Sequence, residues 1–372
     1  MTKDTTVLSG ENGMTTITVD LGHRSYQIHV GAGLIARLDS LVPWPSHART
    51  AAVVTNGVVW EHYGDVVQAS LERAGLAVEI IRVPDGEQAK STETLIALWH
   101  RLATIPLQRD DVVVAVGGGV VGDLAGFAAA TYARGVALVQ VPTTLLAQVD
   151  SAIGGKTGIN LAEGKNLIGA FHQPIAVISD VATLATLPSR ERRAGLGEVA
   201  KYGFIADPVV LDLLETRPGS AAAGDPELMV QIVRRGSAVK AEIVSEDELE
   251  SGRRALLNYG HTVGHAIESL TSYDTYRHGE AVALGMVFAA RLGERLDISE
   301  PGLAERTIAV LDGLGLPTRG LRLDPREVWD VMARDKKARD GVRFVLSPRP
   351  GQAILIDQPR RGVVDDVLRG MA

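Results

Sequence analysis

Cysteine is absent from all 372 residues. That absence removes disulfide scaffolds, thiolate metal sites, iron–sulfur clusters and cysteine nucleophiles together. It agrees with a reducing, cytoplasmic setting. Positive charge is also scarce: 38 Lys and Arg stand against 45 Asp and Glu, a net charge of −7. Such a surface is a poor general attractor for nucleic acid. Long apolar runs are missing as well. The run from Val112 is cut by Asp123 and then Arg134, short of the ~20 residues that cross a bilayer, so no membrane partner is expected. Residues 1–13, MTKDTTVLSGENG, have no apolar signal core and read as a polar tail. Glycine is what abounds, with 40 residues, above the ~7% typical of proteins. The hydrophobic fraction of 45% and charged fraction of 22% exclude wholesale disorder.

Hydrophobic patterning divides the chain in two. Short Val/Ile/Ala runs at 16–19, 26–30, 51–55, 78–83, 112–116, 137–141 and 176–179 read as strands. Several lack polar alternation, as strands covered on both faces do. Helical stretches separate them; Ser91 caps one whose Leu95, Leu98 and Leu102 share a face. After Pro188 the pattern is helical at 198–205, 208–216, 227–244, 259–269, 279–295 and 303–314, with a small hairpin at 342–346 and 353–356. The expected fold is an α/β domain at 14–187 with a mainly parallel sheet and a nucleotide-binding glycine turn, then a mostly α-helical domain at 188–372. A ligand cleft between two such domains is common practice.

The glycine turn is Gly117-Gly118-Gly119-Val120-Val121-Gly122-Asp123, directly after the strand at 112–116. Strand, glycines, then helix start is how backbone amides reach a pyrophosphate. The glycines are consecutive rather than spaced as G-x-G-x-x-G, so a tight packing turn explains them equally well. Other strand ends are polar: Asn56, the Pro84 to Lys90 loop with Glu87, and Thr143-Thr144. Ligands of open α/β sheets bind at such ends.

The helical half carries metal-ligand chemistry. His261 and His265 are four apart on one helical face, His278 opens the next helix, and Glu198 lies in GEVAK. Catalytic zinc commonly takes three His or Glu ligands and keeps one position open. Thr262 stands where an H-E-x-x-H peptidase has its glutamate, so a peptidase base is missing. Spacing does not choose among the three imidazoles. Lysines flanked by glycine in Gly154-Gly155-Lys156-Thr157-Gly158 suit an anionic ligand, but Asp150 occupies the first glycine position of a P-loop, which argues against ATP hydrolysis.

Together TYARG (131–135), VPTTLLAQVDSAIGGKTGIN (141–160), GKNLIGAFHQP (164–174), GLGEVAKYG (195–203), LLNYGHTVGHAIE (256–268), RHGEAV (277–282) and DKK (335–337) resemble the 3-dehydroquinate synthase family of sugar-phosphate cyclases. That fold is related to glycerol dehydrogenases and iron-dependent alcohol dehydrogenases. The resemblance implies NAD+ and one divalent metal, zinc or cobalt, with Glu198, His261 and His278 as its ligands. It places Asn56, Glu87, Lys90, Gly118, Gly119, Val120, Asp123, Thr143, Thr144, Asp150, Lys165, Asn166 and Thr186 at the cofactor. It assigns Lys156, Lys201, Lys240, Arg254, Asn258 and His265 to catalysis. Arg134, Asp150, Lys156, Lys336 and Lys337 fall at the substrate, with Arg134 supplied by the neighbouring subunit of a homodimer. The implied reaction takes 3-deoxy-arabino-heptulosonate 7-phosphate to 3-dehydroquinate and phosphate, in the shikimate route to chorismate and aromatic amino acids. Transient oxidation by NAD+, β-elimination of phosphate, reduction and intramolecular aldol closure are its steps. Rival readings are another cyclase, such as an aminodehydroquinate synthase or one making 2-deoxy-scyllo-inosose or valiolone-type products, a metal-dependent alcohol or polyol dehydrogenase, and a non-catalytic binding module.

Overall fold

A computed structural model describes residues 7–9, 13–105, 107–271, 274–334 and 341–371. The chain forms two compact units, Met1–Leu187 with Lys240–Leu249, and Pro188–Val239 with Glu250–Ala372. No described helix is long and apolar enough to cross a membrane.

The first unit is built on an eight-stranded sheet. Its strands are β1 (Val7–Ser9), β2 (Thr15–Val19), β3 (Tyr26–Gly31), β4 (Thr50–Thr55), β5 (Ala77–Arg82), β6 (Val112–Gly117), β7 (Ala137–Pro142) and β10 (Ala176–Asp180), in the order β1-β2-β3-β10-β7-β6-β4-β5. The six strands from β3 to β5 run parallel, with Val53, Val114 and Val139 in one register row; β1 and β2 pair antiparallel at the edge. Of the expected N-terminal tail, Val7–Ser9 thus pairs with β2, while residues 1–6 and 10–12 lie outside the described residues.

Both faces of the inner strands β4, β6, β7 and β10 are buried, which explains their largely apolar runs, whereas the edge strand β5 is mostly open to solvent. Ala52, Val54, Val113 and Ala115 pack with Leu95, Leu98 and Leu124 on one side. Val53, Val112, Val114 and Val116 pack with Leu34, Leu38, Val67 and Leu71 on the other. The covering helices include α1 (Leu38–Leu41), α2 (Gly57–Arg73), α3 (Thr92–Thr104) and α4 (Gly119–Thr131). A separate hairpin, β8 (Lys156–Leu161) and β9 (Gly164–Phe171), packs on α4. The sequence pattern gives no strand there.

Buried Asp111 ties the entry to β4, accepting from the amides of Arg49 and Thr50 at 2.9 Å and of Gln108 at 2.8 Å. Bonds to a charged acceptor are among the stronger ones. Asp111→Ala is expected to cost roughly 3 kcal/mol, read as a lowered urea midpoint of the full chain. An unchanged midpoint would show that these amides find other partners.

The second unit is helical. It contains α5 (Ser189–Ile205), α6 (Pro208–Thr216), α7 (Pro218–Ala223), most of α8 (Pro226–Glu246), α9 (His261–Leu270), α10 (His278–Arg295), α11 (Leu303–Gly313), α12 (Pro325–Arg334) and α13 (Arg361–Arg369). The hairpin β11 (Arg343–Leu346) and β12 (Ile354–Asp357) completes it. Helix α10 is the hub: nearly every residue from Gly279 to Gly293 is buried, and α5, α9, α11 and α13 pack against it.

Candidate functional site

Glu198 on α5, His261 at the start of α9 and His278 at the start of α10 come together: their ligand atoms lie within 4.8 Å of one another. Glycine makes this possible. A Cβ on Gly279, next to His278, would stand 1.8 Å from the Ala194 carbonyl oxygen; one on Gly197, next to Glu198, would stand 2.5 Å from that of Gly279. A Cβ on Gly285 would stand 1.8 Å from the Gly260 carbonyl oxygen, next to His261. Backbone therefore touches backbone where α5 and α9 meet α10, and three short reaches replace three long ones. Gly264 likewise faces α10, with Ala281 and Val282 at 3.3 Å.

Each imidazole is oriented by its outer nitrogen. His261 Nδ1 donates to the Tyr259 carbonyl at 3.1 Å, which leaves Nε2 3.3 Å from Glu198 Oε1. His278 Nδ1 lies 3.1 Å from Glu268 Oε2, and its Nε2 is 3.5 Å from Glu198 Oε1. Lys201, one turn along α5, ion-pairs with Glu198. Glu198 is fully buried, and neither carboxylate oxygen takes a well-aligned hydrogen bond. A buried carboxylate without aligned donors, faced by two imidazole nitrogens, is a donor set suited to a divalent cation.

The charge states follow from the surroundings. Burial pushes the Glu198 carboxyl up, but the Lys201 ammonium and His261 outweigh it and hold it well below the usual carboxylate range. Burial also pulls His261 down, to about 4, although Glu198 opposes it. His278 has burial against it too, yet its contacts with Glu198 and Glu268 raise it to about 10. In the metal-free protein His278 therefore carries, at neutral pH, a proton that an ion must displace. Glu198 and His261 have none to give. We expect about one proton released per ion bound, and apparent affinity falling roughly tenfold for each pH unit below that value. Calorimetric titrations in buffers of different ionisation enthalpy measure this; binding without proton release would contradict it.

His265, exposed, sets its ring 5.4 Å from that of His261 and 6.0 Å from that of His278. Arg254 and Asn258 lie in the 3-10 turn Arg253–Asn258 that leads into α9. Arg254 is almost wholly buried, and the Asn258 amide donates to Ala255 O at 3.0 Å and Glu250 Oε1 at 3.3 Å. Lys336 and Lys337 lie outside the described residues.

The other expected residues belong to the first unit. Gly117 ends β6 and Gly119 begins α4, whose N-cap, Gly118, supplies no side-chain bond. The first-turn amides of α4 thus receive no side-chain cap from this position. A Cβ on Gly118 would meet Thr144 at 3.0 Å and one on Gly119 the Ser151 hydroxyl at 2.8 Å; that hydroxyl is buried without a hydrogen-bond partner. Close packing at this turn therefore requires glycine, and the start of α4 has no side-chain cap. Val120 follows in the first turn of α4, and Thr143 donates its amide to Gly117 O at 2.9 Å.

Buried Lys90 is a hub. Its Nζ lies 2.7 Å from Asp123 Oδ2 and 3.8 Å from Glu87 Oε1, and it bonds Asn166 Oδ1. Burial pushes the Asp123 carboxyl up against the pull of Lys90. Asn56 caps α2 through the Val59 amide and donates to Asp85 at 2.7 Å, while the Thr186 hydroxyl pairs with Tyr63 OH at 2.6 Å. Lys240 Nζ and Asp150 Oδ1 pair at 2.5 Å. Lys165 is half-buried on β9. Lys156 and Arg134 are exposed, and Arg134 follows Ala133 in left-handed backbone, with φ of 62° and 49°. Polar groups that these patterns do not single out are Asn160, which bonds Glu87 at 2.7 Å and the Asn166 amide at 2.8 Å, along with Ser151, Glu250 and Glu268. Only Glu268 leaves a spacing signal, three residues after His265.

Comparison with known proteins settles the family. Residues 80–194 match the family model described as 3-dehydroquinate synthase N-terminal, and residues 195–338 the one described as 3-dehydroquinate synthase C-terminal. The chain belongs to the 3-dehydroquinate synthase family. It is 50% identical over 332 residues to the 3-dehydroquinate synthase of Citrifermentans bemidjiense, covering 89% of this chain and 92% of that one. It is 47% identical over 341 residues to that of Symbiobacterium thermophilum, covering 91% and 95%. Among solved structures it resembles a 2-deoxy-scyllo-inosose synthase complexed with carbaglucose-6-phosphate, NAD+ and Co2+ (TM-score 0.86, 27% identity, 96% of this chain and 100% of that chain). A 2-epi-5-epi-valiolone synthase from Streptomyces hygroscopicus with NAD+ and Zn2+ bound has the same TM-score of 0.86 at 28% identity, over 95% and 98%. The 3-dehydroquinate synthase family is one of enzymes, and this member's cluster of Glu198, His261 and His278 falls inside the C-terminal family match.

Proposed function

We propose that the chain converts 3-deoxy-arabino-heptulosonate 7-phosphate to 3-dehydroquinate and phosphate, as an NAD- and metal-dependent cyclase that eliminates phosphate. The observation that carries this reading is the 50% identity to a 3-dehydroquinate synthase across 89% of the chain, together with the Glu198–His261–His278 cluster inside it. When bound, NAD+ supplies a hydride acceptor that returns what it takes, and zinc or cobalt supplies a Lewis acid that lowers the pKa of an alcohol. Glu198, His261 and His278 hold the ion. The uncapped amides at Gly118 to Val120, with Asn56, Glu87, Lys90, Asp123, Thr143, Thr144, Lys165, Asn166 and Thr186, hold the dinucleotide.

The substrate brings a carboxylate and a phosphate, and this acidic chain sets basic groups against them. Arg254 is buried, so its planar fork acts where charge is little screened. Lys156, exposed at the start of β8, is the phosphate clamp. Lys201 pairs with Glu198 and Lys240 with Asp150, so each ammonium is fixed before an anion arrives. Lys336, Lys337 and Arg134 add charge, Arg134 coming from the second subunit of a homodimer in the cytoplasm. His265 relays protons beside the two ligand imidazoles, and Asn258, oriented by Ala255 and Glu250, positions a hydroxyl.

The solved relatives favour one second reading, a cyclase acting on a different sugar phosphate. Phosphate release from 3-deoxy-arabino-heptulosonate 7-phosphate, the aminated analogue, other heptulose phosphates and hexose phosphates decides between them. Release from the first alone is expected; preference for any other would transfer the chain to that branch.

A further inference from the structure

We propose that Glu268 is a positioning residue that fixes which nitrogen of His278 is offered to the metal, and with it which of two overlapping clusters becomes the metal site. This inference rests on the metal-site reading above. Among the described residues two groups have metal-ligand spacing, Glu198–His261–His278 and His265–Glu268–His278. His278 belongs to both, because each of its nitrogens faces a buried carboxylate: Nε2 lies 3.5 Å from Glu198 Oε1, and Nδ1 lies 3.1 Å from Glu268 Oε2. A nitrogen that donates its proton to a carboxylate has no lone pair to give an ion. With Glu268 holding Nδ1–H, the lone pair of His278 is at Nε2, on the side of Glu198 and His261. The carboxylate–imidazole bond therefore closes the second cluster as a site and completes the first. Such outer partners also raise the basicity of the ligand nitrogen.

Glu268 is well placed for this. It is 5% exposed, and it stands on the same rigid helix as His261, so the tie to His278 sets α9 and α10 in one geometry. His261 is oriented in the same manner by the backbone carbonyl of Tyr259, which no side-chain change removes. For His278 the partner is a side chain, and its contribution is open to substitution.

The test uses the full chain, with zinc competed against a chromophoric chelator for the parent, Glu268→Ala and Glu268→Gln. Glu268→Ala, which removes the acceptor for Nδ1–H, is expected to weaken zinc about 10- to 100-fold. Glu268→Gln retains an acceptor oxygen for Nδ1–H and should recover most of that loss. Nitrogen-15 NMR of the zinc-loaded parent should show His278 protonated at Nδ1 and metal-bound at Nε2. Zinc affinity of Glu268→Ala within about twofold of the parent would overturn the proposal, as would metal bound at Nδ1. Equal weakening of both variants with a common drop in melting temperature would reduce Glu268 to a packing role and overturn it as well. Should the alanine variant not fold, the ring-nitrogen assignment in the parent and in Glu268→Gln decides. Glu198→Gln separates the two failures. If the parent binds zinc no better than that variant, the metal site itself is wrong; if the parent binds and Glu268 is immaterial, only this inference falls.

Discussion

Glu198→Gln is expected to lower turnover roughly 1,000-fold or more, about 4 kcal/mol of transition-state stabilisation. The substitution keeps the shape of the side chain and removes the one anionic ligand from the Glu198–His261–His278 cluster. It also leaves Lys201, 1% exposed in its ion pair, without its counter-charge, and breaking a buried pair costs about 3–5 kcal/mol. Two readouts are therefore needed: zinc affinity, which should fall with turnover, and melting temperature, which should fall independently of added metal. NAD affinity should stay near that of the parent, because the residues assigned to the dinucleotide lie in the first unit. Turnover within tenfold of the parent would remove Glu198 from the chemistry.

A methyl group at Gly279 should be nearly as damaging, though it touches no ligand atom. The Cβ would lie 1.8 Å from the Ala194 carbonyl oxygen and 2.6 Å from its carbon, backbone atoms that cannot rotate aside. Helix α10 must then move away from α5, carrying His278 from Glu198. We expect Gly279→Ala to lose about 3 kcal/mol of stability, the upper range of overpacking, and most of its metal affinity. Gly219→Ala is the control: nothing stands within 4 Å of its Cβ in α7, and helix propensity favours the change by up to ~1 kcal/mol. Chemical denaturation of both, with and without zinc, checks the pair. Equal behaviour of the two variants would mean that α5 and α10 can separate freely.

The inner parallel strands were legible because burial on both faces leaves a largely apolar run, as in VVVAVG of β6. The β8–β9 hairpin was not, because Gly158 and Gly169 face each other there. A Cβ on Gly169 would stand 2.1 Å from Thr157 O, so glycine serves strand-to-strand approach where the sequence suggests an anion-binding loop. Helix α5 begins at Ser189, well before the expected 198, since its first turns are SRERRAG. Those charges look like linker until Arg190 is seen to grip Glu280 at 2.7–2.8 Å. Helices α12 and α13 lie outside the helical runs expected from the sequence, although they carry the helical signature: Val328, Val331 and Met332, and Val364, Val367 and Leu368, each fall at i, i+3, i+4 on one face. At the Glu198–His261–His278 cluster the residue types were readable and their convergence was not. Spacing along the chain offers His261, His265 and His278 alike, whereas the Tyr259 carbonyl and the Glu268 carboxylate turn Nε2 of His261 and of His278 toward Glu198.

The most direct measurement follows phosphate and near-ultraviolet absorbance together, with the purified chain, NAD+ and 3-deoxy-arabino-heptulosonate 7-phosphate. Phosphate should appear steadily with no accumulation of NADH, stop when a chelator is added, and resume with zinc or cobalt. NADH rising in step with turnover, or phosphate release that ignores the chelator, would contradict a metal-dependent cyclase in which the hydride is borrowed and returned.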